Sequence, residues 1–436
     1  MSGLFNIIWL MTITQIHQLF LASSGACTDT RKIEPNAIFF ALKGENFNGN
    51  TYAQKALEHG AAYAIIDEVA FKTTEQHILV DDVLKTLQDL ASFHRQHLNI
   101  PIIALTGSNG KTTTKELINS VLSSSFKTTP TIGNLNNHIG VPLTLLSMTK
   151  ETQIGIVEMG ANHLEEIASL CSIAKPDYGY ITNIGKAHLE GFGSVEGVLK
   201  GKTELYDYLK KHDKLVFLNL EDKKLVNASS EIKTYSFSQS NTSDAIIKLA
   251  DTNPNVIISY QDKTIQSNLI GLYNFTNIAA AIAIGSYLKI SFDKIKGAIE
   301  SYTPTNNRSQ IIKKGNHTII LDAYNANPTS MEAAINNLVQ LQYDTKIVFL
   351  GDMFELGVDA SLEHQKIADQ ISDTETDEIY LIGSHFFGTK CTNPNIQKFK
   401  SYEDLEANWS LKNQKDIILI KGSRGMKLER ILDLLN

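Results

Sequence analysis

The residues Thr106-Gly107-Ser108-Asn109-Gly110-Lys111-Thr112-Thr113 have the composition of a phosphate cradle. Glycines let backbone N–H groups close around phosphate oxygens, and a helix N-terminus directly after them adds favourable partial charge. Lys111 would neutralise the outer phosphates of a nucleotide, and the Thr112 hydroxyl suits Mg²⁺. The string departs from the full phosphate-loop pattern: five positions before Gly110 stands Leu105, and the first glycine is Gly107. An ordinary glycine turn between strand and helix is the competing reading. The apolar run 102–105 before the loop and the helical pattern 114–122 after it favour the phosphate site.

Three further side chains could complete such chemistry. Glu158 ends the apolar run Ile154–Glu158, where a parallel sheet would set it beside the loop. A carboxylate there suits Mg²⁺, a hard ion that prefers oxygen ligands. His188 follows the next strand candidate, in Thr182-Asn183-Ile184-Gly185-Lys186-Ala187-His188. Lys200 and Lys202 read, on spacing alone, as solvated lysines of a helix. The remaining histidines form no metal-binding pattern, and His94-x-x-His97 reads as an exposed helix turn.

Elements of an α/β protein must position these groups. Short strands at 37–42 and 62–67 and an amphipathic helix at Val83–Leu98 form a first zone, with a polar, glycine-bearing loop at 44–50. The second zone places strands at 102–106, 154–158, 178–182 and 215–219 between helical patterns, which argues a mainly parallel sheet. The third zone has strands at 318–321, 346–350, 378–382 and 416–420, each running into a polar or glycine residue. Open α/β sheets bind ligands beyond the carboxyl ends of their strands, so this zone reads as a second, Rossmann-like unit.

Length and charge agree with this division. The 436 residues suggest about three domains, drawn at 1–98, 99–309 and 310–436. Lys and Arg number 40 against 47 Asp and Glu, a net charge of −7 that argues against nucleic acid as the main partner. The cysteines Cys27, Cys171 and Cys391 lie far apart, giving neither a disulfide framework nor a zinc cluster. No apolar run reaches the roughly 18 residues of a membrane span. A cytoplasmic protein is expected, with residues 1–10 an upstream extension and Met11 its start.

Taken together, the motifs resemble the Mur ligases of peptidoglycan synthesis over nearly the whole chain. Besides the phosphate loop, the resemblance rests on Gly133-Asn134-Leu135-Asn136-Asn137, Glu158-Met159-Gly160-Ala161, the 182–193 segment and Gly271-Leu272-Tyr273-Asn274-Phe275-Thr276-Asn277. Asp322-Ala323-Tyr324-Asn325-Ala326-Asn327-Pro328 and Gly351-Asp352-Met353-Phe354-Glu355-Leu356-Gly357 are its most specific parts. They point to the member that adds a dipeptide.

The resemblance implies a smaller α/β N-terminal domain for a UDP-sugar, a central phosphate-loop ATPase domain and a C-terminal Rossmann-like domain. It implies ATP-dependent ligation of D-alanyl-D-alanine to UDP-N-acetylmuramoyl-tripeptide through an acyl phosphate, by a cytoplasmic monomer. Carried over position by position, Lys111 becomes the phosphate lysine, while Thr112 and Glu158 hold one Mg²⁺. Glu158 and His188 match a second metal site, with Lys202 as the lysine that the family carbamylates. Gly107, Ser108, Asn109, Gly110 and Thr113 complete the nucleotide loop. Asn274 and Asn277 match adenine-side asparagines, and Arg308 and Asp322 the groups on phosphate and ribose. Asp29, Thr30, Arg31 and Asn46 correspond to UDP-sugar contacts, and Asn325 and the 421–424 segment to the dipeptide side. His138, where many relatives carry an acidic residue, leaves Asn134, Asn136 and Asn137 as alternatives for the family asparagine.

Rival readings lack their signatures. A sister ligase for diaminopimelate would carry an Asp-Asn-Pro-Arg-type motif, which is not found. The single-residue ligases, with which folylpolyglutamate synthase-like enzymes are grouped, would usually show Asp-Tyr-Ala-His where Asp322-Ala323-Tyr324-Asn325 stands. A GTPase would want Asn-Lys-x-Asp, and the nearest string is Asn219-Leu220-Glu221-Asp222. A non-catalytic sugar-binding protein would have lost Lys111, Glu158 or His188.

Overall fold

The computed structural model describes residues 11–410 and 417–435. The expected extension at 1–10 and the first residue of the strand expected at 416–420 lie outside the described residues. The chain divides into two compact units, and the second takes in Thr106–Ser125, Ala161–Leu164 and everything from Tyr180 on.

The first unit holds a four-stranded parallel sheet in the order Ala26–Cys27, Ile38–Phe40, Tyr63–Ile66, His77–Leu79. Phe39, Ala64 and Ile66 bury one face against Ala53 and Ala56. Both expected strands form, trimmed at their ends. The expected loop at 44–50 is instead a hairpin of Lys43–Gly44 and Phe47–Asn48 followed by a short 3₁₀ helix. Helix Val83–Leu98 runs as its pattern predicts: Asp82 caps its start by accepting from Lys85 N at 2.8 Å, and Asn99 ends it in the left-handed conformation. His94 is not exposed. It is buried, with Nδ1 3.0 Å from Nε2 of His17 and Nε2 2.9 Å from the Met148 carbonyl. Only His97 of that pair faces solvent. The same unit holds Ile154–Glu158, paired in parallel with Thr128–Pro130 and with Ile102–Thr106.

The second unit contains five consecutive strands, Leu215–Asn219, Lys233–Ser238, Ala245–Asp251, Asn255–Tyr260 and Lys263–Ile270, of which the last two pairings are antiparallel. The sequence pattern signals only the first. In the others polar residues alternate with apolar ones, because one face is solvated: Ile247 and Ile265 are fully buried while Lys248 and Gln266 are exposed. Helix Tyr273–Tyr287 is apolar nearly all round and buried from Ile278 to Gly285.

The third zone forms a six-stranded sheet in the order Gln310–Lys314, His317–Asp322, Ile417–Lys421, Lys346–Gly351, Glu378–Ile382, Ile396–Phe399. Only the first pairing is antiparallel. Its central strands are apolar throughout because both faces are covered. Val348, Leu350 and Leu419 fill one core, and Ile347, Phe349 and Ile418 the other.

Candidate active site

The phosphate loop follows the fully buried strand Ile102–Thr106 in the chain and, within the second unit, enters helix Lys111–Ser123 with Gly110 as its N-cap. Gly107 and Gly110 take φ of +141° and +77°. A Cβ on Gly107 would come 2.0 Å from Thr182 Oγ1, and one on Gly110 would come 2.6 Å from Asn277 Oδ1. Both positions therefore need glycine for conformation and for space. Lys111 Nζ donates to the Gly107 and Ser108 carbonyls at 2.7 and 3.2 Å, folded back over its own loop.

The 182–185 segment braces this loop. Asn109 N donates to Asn183 Oδ1 at 3.0 Å, while Thr182 Oγ1 and Asn183 Nδ2 donate to the Asn109 carbonyl at 2.6 and 3.1 Å. Ser108 N donates to the Asn183 carbonyl at 3.0 Å. Asn274 and Asn277 stand behind the loop, buried and joined to one another at 2.9 Å, with Thr114 Oγ1 donating to Asn277 at 3.1 Å.

Other expected residues take clear positions in the same unit. His188 has a left-handed backbone, φ +52°, and its Nδ1 lies 2.5 Å from Oε2 of Glu355, itself at φ +61°. Two such non-glycine residues facing each other mark a conformation held by its surroundings. The close approach of His188 is the main reason the Glu355 carboxyl lies below the usual glutamate range. Lys202, read from spacing as a solvated lysine, is fully buried: Nζ donates to the Ala161 carbonyl at 2.9 Å and sits 5.1 Å from the Phe192 ring centre. Lys200 is exposed, so burial separates the two lysines that spacing could not.

Arg308 stacks on Tyr324, its guanidinium carbon 3.7 Å from the ring centre. Asp322 is paired with the buried Lys421 at 2.6 Å and accepts from Ser309 N at 3.2 Å. Asn325 is exposed, and its carbonyl accepts from Lys421 at 3.2 Å.

In the first unit Glu158 is buried, and Asn136 Nδ2 donates to its Oε1 at 2.8 Å. Asn137 Oδ1 instead accepts from Ile139 N and Gly140 N, capping a helix start. Asn136 is thus the asparagine on the carboxylate. Asp29 and Arg31 form an exposed bidentate pair, which holds the Asp29 carboxyl well below its ordinary range. Thr30 begins the 3₁₀ turn between them, and its carbonyl lies 3.1 Å from His59 Nδ1. Asn46 sits exposed at the hairpin tip.

Several contacts escape a reading of the sequence alone. Glu116 on the phosphate-loop helix accepts from Tyr302 Oη at 2.6 Å and Asn306 Nδ2 at 2.8 Å, just before Arg308. Lys186 pairs with the buried Glu363 at 2.8 Å. Asn327 Nδ2 donates to Asn109 Oδ1 at 2.7 Å. Asn327 lies in a motif the sequence displays; Glu116 and Glu363 carry no local signature. Among the described residues no three His, Cys, Asp or Glu side chains stand close enough to hold a metal. The Thr112 hydroxyl of the second unit and the Glu158 carboxylate of the first are each hard oxygen donors of the kind Mg²⁺ prefers.

Comparison with known proteins gives three family matches: Mur ligase family, catalytic domain, over residues 24–95; Mur ligase middle domain over 105–285; and Mur ligase, glutamate ligase domain, over 307–424. The UDP-N-acetylmuramoyl-tripeptide--D-alanyl-D-alanine ligase of Bacillus subtilis (strain 168) is 37% identical over 425 residues, covering 94% of this chain and 92% of the relative. The crystal structure of MurF from Acinetobacter baumannii matches with a TM-score of 0.82 at 30% identity, over 96% of this chain and 98% of that one. MurF ligase from Thermotoga maritima in complex with ADP matches with a TM-score of 0.83 at 26% identity, over 96% and 97%.

Proposed function

This chain belongs to the Mur ligase family, and we propose that it performs the reaction its near-full-length relatives are named for. It joins D-alanyl-D-alanine to UDP-N-acetylmuramoyl-tripeptide at the expense of ATP, a step of peptidoglycan synthesis. The observation that carries this reading is the glycine-dependent phosphate loop, locked onto the 182–185 segment, in a chain that parallels dipeptide-adding ligases over 94% of its length.

A carboxylate is a poor acylating agent, so the tripeptide's terminal carboxylate first takes the γ-phosphoryl group of ATP. The amine of D-alanyl-D-alanine then attacks the acyl phosphate, and phosphate leaves from a tetrahedral intermediate. Lys111 swings from its own loop's carbonyls to the outer phosphates, and Asn109 and the loop amides hold the oxyanions. Arg308 and Asp322 hold phosphate and ribose, Asn274 and Asn277 fix the adenine side, and Ser108 and Thr113 complete the loop. Asp29, Thr30, Arg31 and Asn46 receive the UDP-sugar, and Asn325 the dipeptide.

Thr112 and Glu158 would hold one Mg²⁺, and Glu158, His188 and a carbamylated Lys202 a second. When bound, the ions screen the crowded phosphate and carboxylate charges. The boundaries near 98 and 309 give each domain one substrate: UDP-sugar, ATP and dipeptide. No helix among the described residues is long and apolar enough to cross a membrane; we place the enzyme in the cytoplasm, as a monomer.

The test is an acceptor swap. ADP release should require both UDP-N-acetylmuramoyl-tripeptide and D-alanyl-D-alanine. Equal turnover with a single amino acid in place of the dipeptide would refute the assignment.

A further inference from the structure

The hydrogen bond between Asn327 and Asn109 has a direction that the surrounding groups dictate. Asn327 is the N-cap of helix Pro328–Gln340, and its side-chain Oδ1 accepts from the backbone N–H of Ser330 at 3.0 Å. A backbone N–H can only donate, so the oxygen of the Asn327 amide must face Ser330 and its Nδ2 must face outward. That Nδ2 lies 2.7 Å from Asn109 Oδ1. Asn109 must therefore present its oxygen to Asn327 and turn its own Nδ2 the other way. This Nδ2 is buried and has no hydrogen-bond partner among the described residues. The Asn109 backbone is meanwhile fixed on both sides by Asn183, at 3.0 and 3.1 Å, and by Thr182 at 2.6 Å. With the backbone held and the oxygen engaged, the amide has one orientation left.

We propose that Asn327 is a positioning residue for the nucleotide: it orients the Asn109 amide so that the phosphate loop offers a side-chain donor to a phosphate oxygen. The chain of constraint runs from Ser330 N–H through Asn327 to Asn109. A helix cap in the third zone of the sequence thus decides which atom the loop between residues 106 and 113 turns to its ligand. This inference rests on the reading of Asn109 as a nucleotide contact. It goes further in assigning the amide's orientation to a residue outside the phosphate loop.

The decisive variant is Asn327→Asp. Aspartate caps a helix as well as asparagine does, so Ser330 keeps its acceptor. The other carboxylate oxygen now faces Asn109, whose amide flips to donate to it, and the donor is withdrawn from the loop. Binding of ADP in excess magnesium, measured by calorimetry, should weaken about 10- to 100-fold, the range for one hydrogen bond to a charged group. The melting temperature should change little. Asn109→Ala should weaken ADP to a similar degree, and adding Asn327→Asp to it should cost nothing more, since both act through one amide.

Asn327→Ser, which keeps a capping oxygen but whose hydroxyl is one bond shorter than the Asn327 Nδ2 that meets Asn109, should fall between wild type and Asn327→Asp. It also serves if the aspartate variant folds poorly. Wild-type ADP affinity in Asn327→Asp or Asn327→Ser, beside a loss in Asn109→Ala, would overturn the positioning role and leave Asn109 as a ligand. Undiminished affinity in Asn109→Ala would overturn the reading of Asn109 itself. Additive losses in the double variant would show that Asn327 acts by another route.

Discussion

Gly110→Ala is the perturbation whose cost follows most directly from the geometry. At φ +77° an alanine pays for the left-handed conformation, about 1–2 kcal/mol. Its Cβ would also come 2.6 Å from Asn277 Oδ1, a distance no real contact sustains. Asn277 cannot yield cheaply, because it is buried and held by Thr114 Oγ1 at 3.1 Å and by Asn274 at 2.9 Å. Moving it leaves one buried polar group unmet, about 1–3 kcal/mol. The sum is about 2–5 kcal/mol, which at 1.4 kcal/mol per decade corresponds to about 30- to 3,000-fold if it falls wholly on the binding-competent loop. Part of it will appear as lost stability. Calorimetric titration with ADP should therefore show at least a tenfold loss, together with a lowered melting temperature. Gly315→Ala is the matched control: φ is +57° and nothing lies within 4 Å of a Cβ there. It should lower the melting temperature slightly and leave ADP affinity unchanged. If Gly110→Ala bound ADP within twofold of wild type at an unchanged melting temperature, the reasoning from steric fit would be wrong.

Lys202→Ala should abolish ligation while Lys200→Ala does not, and short carboxylic acids should restore part of the Lys202→Ala rate; an unmodified Lys202 in mass spectra of active enzyme would remove the carbamate from the scheme. Glu116→Ala strips Tyr302 and Asn306 of their acceptor, so stability should fall by about 1–3 kcal/mol, and KM for ATP should rise as Arg308, two residues on, loses its anchor; an unchanged KM would make Glu116 purely structural. Acid should destabilise the fold through His17, whose pKa is lowered to about 4 by burial and by His94 and His97. A folded-state pKa below the unfolded value near 6.5 means this stability is complete above about pH 6.5 and is lost as pH falls towards 4. Melting temperatures between pH 7.5 and 4.5 should decline less in His17→Gln, and parallel declines would exclude the imidazole.

The phosphate loop is legible in the bare sequence because its chemistry is local: strand, glycines, lysine and helix stand within 20 residues of one another. The buried parallel strands of the third zone are legible for a similar reason, since an uninterrupted apolar run such as Ile347-Val348-Phe349-Leu350 has few other uses. What the sequence hides depends on partners far along the chain. Lys202 and Lys200 share a helix and a composition; only the face turned toward Ala161 and Phe192 distinguishes them. His94 reads as solvated because its neighbours in sequence are polar, whereas its surroundings in space are His17, Phe20 and the Met148 carbonyl. The strands between 233 and 270 give no clear pattern because solvation of one face dilutes the apolar signal. Among the three asparagines near 136, spacing alone does not reveal that it is Asn136 whose amide donates to Glu158.

The bonds that shape the phosphate loop also order events during synthesis. Residues 106–113 leave the ribosome early, yet Asn109 must wait 74 residues for Asn183 and 218 residues for Asn327. At roughly 5–20 residues per second the second interval lasts roughly 10–45 s. A nascent or prematurely terminated chain that stops short of Asn327 carries the glycine-lysine string without an oriented Asn109 amide. Such high sequence separation slows folding, and here the last side-chain bond to Asn109 can form only after about three quarters of the chain has been made.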